Sequence, residues 1–307
     1  MKRVWLSVVA LSSLIASAQA QAAEKIILGY GPGSAWAAAW IAQDRGIFEK
    51  HGLDVEFSFV SGGQLQAAAL IADAVTIVGN NPVQILLADE SGADLVIIAG
   101  ADGQTKDNAY SGVAYNTKTI AKPADYVGKK VAVPGLQSLM HIAFQMWLKT
   151  QGVNPKQVNF VETQMQNMPD QLASQQIDAA VSSPPFLDVL GAKPDAKVLH
   201  FTAELPQPDF VDAFYMAKHD WAKAHPKVVE AFRASIREAT DLVVKDPEIV
   251  RPELVKYLKM KPEDAQKASL PNYFSDVTPP MMQFWIDATN EFGVTTKKMN
   301  VDEVLLK

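Results

Sequence analysis

The chain of 307 residues contains no cysteine. That excludes disulfides, thiolate-bound metals, a thiol nucleophile and a lipid-modified amino-terminal cysteine. Arginine is scarce: beyond Arg3 there are only Arg45, Arg233, Arg237 and Arg251. None falls on a predicted strand-to-helix tip, so no bidentate guanidinium clamp for a carboxylate or sulfonate is visible. Runs of like charge are missing, and the formal net charge is -6. This balance argues against nucleic acid or an anionic membrane surface as the main partner. G-x-S-x-G, H-E-x-x-H and P-loop signatures are absent. The five histidines (51, 141, 200, 219, 225) are scattered, and paired carboxylates do not converge on any tip. Gly29, Gly31 and Gly33 make G-x-G-x-G after a strand, but the dinucleotide fingerprint needs a different spacing and an acidic residue closing the second strand.

What is present is ordinary for a globular protein: 48% apolar and 20% charged residues, with a length that suits one large or two medium domains. The amino terminus stands apart. Met1-Lys2-Arg3 is a basic start, Val4 to Ile15 is apolar, and Ala18-Gln19-Ala20 is an A-x-A cleavage site. Residues 1–20 therefore read as a secretory signal peptide, too short in its apolar part to anchor in a bilayer. Its removal takes the net charge from -6 to -8, because Lys2 and Arg3 leave with it. With no lipidated cysteine to retain it, the expected compartment is the periplasm of a Gram-negative bacterium.

One device occurs twice. Asp73 to Asn81 is an acidic residue, a short apolar strand and two asparagines, followed by Pro82 and a helical pattern. Asp178 to Ser183 repeats it with two serines before Pro184. Asn81 suits an N-cap and Pro82 the first helical turn, so each tip directs free backbone N–H groups and a positive dipole end upwards. Around these tips, strands and helices alternate from residue 25 to 99 and again from 130 to 201, then a helical tail follows from 222. The expected fold is α/β: two Rossmann-like lobes, each a mainly parallel sheet flanked by helices, joined by a two-segment hinge, with a helical carboxyl-terminal extension. Residues 24–108 plus 222–307 form lobe 1, and 109–221 form lobe 2.

Four stretches carry a resemblance. They are Gly29 to Phe57 with Trp40-Ile41-Ala42-Gln43-Asp44-Arg45-Gly46-Ile47-Phe48, the strand ending in Asn80-Asn81-Pro82, Lys122 to Pro134, and Gln176 to Pro184. In this order, behind a signal peptide, they resemble the periplasmic solute-binding proteins of ABC importers, in the group that takes nitrate, sulfonates and taurine. The resemblance implies a type II binding-protein fold, a small solute or anion held between closing lobes, delivery to a membrane permease and its ATPase, a monomer, no cofactor and no catalysis. The alternatives are a periplasmic sensor for a membrane receptor, or an enzyme of the pyrimidine-synthase or menaquinone-pathway kind. The first of these enzyme groups relies on a cysteine-rich motif, and the second works in the cytoplasm.

Open α/β sheets bind ligands beyond the carboxyl ends of their strands. The expected ligand residues are accordingly Ser34 and Trp36, Asn80 and Asn81, Gln137 and Ser138, and Ser182 and Ser183. His141, in the first turn after Ser138, reads first as a helix-surface or core histidine, with the cleft as the second reading. Gln104, Lys106 and Asp107 read as a solvated loop, and Phe214 and Tyr215 as strand core. Neutral tips of this kind suit a small anion held by N–H groups or a neutral organic molecule.

Overall fold

The structure is a computed structural model describing residues 23–184, 186–207 and 209–306; the expected signal peptide, 1–20, lies outside them. Among the described residues the strands are β1 (Glu24–Tyr30), β2 (Leu53–Phe59), β3 (Ile77–Asn80), β4 (Leu95–Gln104), β5 (Gly112–Asn116), β6 (Lys130–Val133), β7 (Asn159–Glu162), β8 (Ala179–Ser182), β9 (Ala196–Leu199), β10 (Phe210–Lys218) and β11 (Asn272–Tyr273). They form two sheets, ordered β11-β4-β10-β3-β1-β2 and β7-β6-β8-β5-β9.

The two sheets share one plan. In the first, β1 pairs parallel with β2 and β3, and β10 enters antiparallel between β3 and β4. In the second, β6 pairs parallel with β7 and β8, and β5 enters antiparallel between β8 and β9. Each inserted strand is the one that arrives from the other lobe. The sheets are therefore mixed: β1 to β4 share a direction, as do β6 to β9, and β10, β11 and β5 oppose them.

One expected boundary moves. β10 lies in the first sheet, so lobe 2 closes before Phe210 and not at 221. The reason is tertiary. Phe214 and Met216 join the apolar cluster beneath the helix Pro82–Glu90, while Tyr215 and Ala217 join the cluster on the opposite face. A strand apolar on both sides is stable only between covered faces. The connections between the lobes are then 105–111 and 200–209.

Helices cover both faces of the first sheet. On one side, Ala37–Asp44 and Pro226–Lys245 bury Trp40, Phe48, Phe232 and Ile236. On the other, Pro82–Glu90 and Pro279–Glu291 bury Val83, Leu86, Met282 and Trp285. The carboxyl-terminal extension is thus part of lobe 1. Trp285 donates its ring N–H to the Val211 carbonyl (2.8 Å), and Leu306 donates its amide to the Ile97 carbonyl (3.1 Å). The helix Pro279–Glu291 also touches the helix Leu139–Thr150 of lobe 2, where Lys149 and Glu291 pair. Among the described residues no helix is long and apolar enough to cross a membrane.

Candidate ligand-binding site

Strand direction decides which edge of each lobe faces the other. In lobe 1, β1, β3 and β4 end on one edge, and the connection 105–111 leaves from the end of β4. In lobe 2, Gly112, the first residue of β5, pairs with Ser182, the last of β8. The connections therefore join the two edges that carry the carboxyl ends, and the tips of both lobes border the same inter-lobe region.

On the lobe 1 edge, Trp36 is 5% exposed, its ring N–H is sealed without a partner, and it lies edge-on to Tyr215 at 5.6 Å. Its ring also covers Gly79, where an added Cβ would sit 2.3 Å from it. Ser34 is half-buried, and its backbone carbonyl accepts from the Tyr273 hydroxyl (3.1 Å). Asn80 is sealed: it donates to the Gly63 carbonyl (2.9 Å) and accepts from the Asn81 amide (2.9 Å). Asn81 caps the helix Pro82–Glu90 by accepting from the Gln84 amide (3.2 Å). Asn80 thus ties the starts of two helices to one strand end.

The lobe 2 edge gathers Gln137, Ser138 and His141. Gln137 is exposed and left-handed (φ 65°), a conformation that costs a non-glycine residue about 1–2 kcal/mol. Its amide donates to His141 Nδ1 (2.9 Å), and Ser138 Oγ accepts from the His141 amide (3.4 Å). Because Nδ1 accepts, the ring proton sits on Nε2, which is sealed and without a partner. Burial holds the imidazole neutral, lowering its pKa to about 4. Ser182 is fully buried and Ser183 is half-buried. The eight residues expected from sequence therefore form a lobe 1 group and a lobe 2 group; Trp36, Asn80 and Ser182 are covered, while the other five retain surface.

Sequence reasoning missed the group where the connections leave lobe 1. Asp102 of β4 is 4% exposed, and Asp212 of β10 keeps part of its surface. Val211 pairs with Gly103 and Ala213 with Asp102, so Asp212 is the extra residue of a β-bulge. Such bulges re-aim side chains beside functional sites. The Tyr110 hydroxyl lies 3.0 Å from Asp212 Oδ2 and 3.4 Å from Asp102 Oδ2. Gln104 donates to Asp212 Oδ2 (2.9 Å) and accepts from the Thr202 hydroxyl (2.7 Å) and the Ser111 amide (3.3 Å), binding both connections together. Gln104 is 1% exposed, not part of a solvated loop as expected.

Burial is the main cause raising the pKa of both acids. Asp102 is pushed further by the neighbouring Asp212 charge, and Asp212 is brought to about 7 against the bonds from Gln104 and Tyr110. Tyr110, Tyr215 and Tyr273 are held neutral, chiefly by burial and then by the Asp102 charge. This acidic pair sits beside the two connections, on none of the four predicted strand-to-helix tips. The detectable signal was an acidic residue inside each of two apolar strands, at Asp102 and Asp212.

The sequence matches the family described as NMT1/THI5 like over residues 34–249. The taurine-binding periplasmic protein of Escherichia coli is 28% identical over 216 residues, 69% of this chain and 64% of that protein. The match thus spans just under two thirds of that relative's length. Among solved structures, the periplasmic aliphatic sulphonate binding protein SsuA of Escherichia coli superposes with a TM-score of 0.77 at 18% identity, over 92% of each chain. The alkanesulfonate-binding SsuA of Xanthomonas axonopodis pv. citri gives 0.71 at 17%, over 92% of this chain and 98% of that one. The periplasmic nitrate-binding protein NrtA of Synechocystis PCC 6803 gives 0.71 at 14%, over 92% and 86%. At these identities the likeness is one of fold: two α/β lobes joined by two connections.

Proposed function

This chain belongs to the NMT1/THI5-like family, and on that premise we propose that it is the periplasmic solute-binding component of an ABC importer. It captures one small organic solute between its lobes, hands it to a membrane permease driven by an ATPase, acts as a monomer and performs no chemistry on the solute. The observation that carries this reading is the shared edge: strand ends of both lobes border one region, and among the described residues two connections hinge it. Lobe closure around a ligand is the motion such a layout permits. Ser34, Trp36, Asn80, Asn81, Gln137, Ser138, Ser182 and Ser183 are the proposed wall of that region, with the sealed Nε2–H of His141 as a donor beside them.

A melting-temperature screen tests the proposal, because a ligand that binds only the folded state stabilises it by mass action. Sulfonates, nitrate, bicarbonate, pyrimidines, carboxylates and amino-substituted analogues form the panel. A shift from one chemical class, with the solute recovered unchanged, is the expected result. Turnover of the solute would refute the non-enzymatic part, and silence across the panel would refute the solute-binding part.

A further inference from the structure

Resting on the solute-binding reading, we propose that His141 is the positioning residue of the lobe 2 tip: its neutral ring pins residues 135–138 in the shape presented to the solute, and protonation of the ring releases them. Little else holds this tip. Leu136 is 54% exposed, and Gln137 is exposed. A Cβ added at Gly135 would meet only Ser138, at 3.7 Å. Packing therefore does not fix the loop, and hydrogen bonds must. Gln137 is left-handed (φ 65°), a conformation that a residue with a Cβ keeps only where its surroundings impose it. Its amide donates to His141 Nδ1 at 2.9 Å. Two other tip amides donate over longer distances, Ser138 to the Gly135 carbonyl at 3.1 Å and Leu136 to Glu162 Oε2 at 3.4 Å.

The bond to His141 exists in one protonation state only. An imidazolium carries a proton on both nitrogens, so its Nδ1 would face the Gln137 amide donor to donor. The ring is placed to stay neutral. It is 7% exposed, it packs edge-on against Phe160 of β7 at 4.3 Å, and its Nε2 is sealed without a partner. A proton enters when the tip swings off the ring.

Charged groups on the elements packed around the helix Leu139–Thr150 are engaged elsewhere. Glu204 accepts from the Trp147 ring N–H (2.7 Å), Glu291 pairs with Lys149, and Asp287 accepts from Gln283 (2.8 Å). His200 faces the Ser111 carbonyl (3.3 Å), Lys156 lies beyond the far end of the helix, and β8 carries no charged residue. Glu162 of β7 is the acid at the tip itself, through the Leu136 amide. With the tip seated, burial holds the His141 ring neutral down to about pH 4; with the tip released, the ring regains its ordinary value of 6.5. Falling pH between those values favours the released tip. From pH 7 to pH 5 the ratio of released to seated tip rises about twentyfold.

Nuclear magnetic resonance on the full chain, without solute, tests this. Proton–nitrogen correlations of the ring should place the His141 proton on Nε2 and none on Nδ1 at pH 7. Amide hydrogen exchange at Gln137, corrected for the intrinsic rate, should report a released fraction about twenty times larger at pH 5 than at pH 7, a rise not shared by the amides of β6 and β8. His141→Asn puts an oxygen where Nδ1 stands and does not titrate; its Gln137 amide should stay protected at pH 7 and lose the pH response. His141→Leu offers no acceptor, and its Gln137 amide should exchange at least tenfold faster at pH 7 while the variant melts cooperatively. Glu162→Gln should keep the pH response. If a variant fails to fold, the ring proton and the exchange profile of the unaltered chain still decide. A proton on Nδ1, a Gln137 amide indifferent to pH, or a response that survives in His141→Asn or vanishes in Glu162→Gln overturns the proposal. None of these readouts uses a solute, so such a result leaves the solute-binding reading standing. Silence in the melting screen would overturn that reading without touching the bond measured at His141.

Discussion

The replacement Asp212→Asn tests the energetics of the hinge most sharply. In the fold, the Asp212 carboxyl keeps its proton up to about pH 7, against an ordinary value of 3.8. Between those values the folded chain binds more protons than the unfolded one, so stability declines as pH rises, and above about 7 the fold carries the full cost of the charge. A fully sealed carboxyl would cost about 4 kcal/mol for such a shift; with part of Asp212 in contact with solvent, on the order of 2 kcal/mol is expected. An asparagine can still accept from Gln104 and Tyr110, and its amide can donate towards Asp102. The variant should match the parent in stability near pH 4, then exceed it by about 2 kcal/mol at pH 8. Urea denaturation at steps from pH 4 to 8, on both proteins, gives the difference free of the background from other groups. A difference that stays constant across this range would refute the assignment of a buried, proton-holding acid at this position.

Three further substitutions probe the tips and the lobe contact. Gly79→Ala would force a Cβ to within 2.3 Å of the Trp36 ring; a loss of about 1–3 kcal/mol is expected, read by urea denaturation, and a neutral result would mean the indole is not seated there. Asn80→Ala removes the bonds to Gly63 and Asn81. It should cost about 1–3 kcal/mol and weaken solute binding by loosening the helix start at Pro82, both of which a melting and calorimetry pair would detect. Glu291→Gln breaks the surface pair with Lys149 across the lobes; its effect on stability should stay below about 1 kcal/mol, and a larger loss would show that the lobe contact depends on it.

Much of the fold was legible because its signals are local. The two strand-to-helix tips could be read from Asn81-Pro82 and Ser183-Pro184, and the cap at Asn81 lies where its residue type suggested. The destination of β10 was not legible. Its sequence reads as a strand in either lobe, and only pairing with β3 and β4, more than a hundred residues away, decides which sheet takes it. The acidic pair was hidden for the same reason. Asp102 and Asp212 each look like one polar residue in an apolar strand, and the bulge that brings them together depends on a register set by the finished sheet. Gln104 reads as loop because the loop-like composition around Lys106 and Asp107 begins at it, although it is the last, fully buried residue of β4. The covered positions of Trp36 and Asn80 follow from packing against Gly79 and Gly63, contacts between segments that the linear pattern does not relate.

On the proposed function, the two lobes hold one small solute and leave it intact. Titrating the chain without residues 1–20 with the solute that raises its melting temperature, then recovering and weighing that solute by mass spectrometry, tests it most directly. A single site per chain, with the solute returned unaltered, is the predicted result. A second equivalent site, or a solute returned with changed mass, would contradict it.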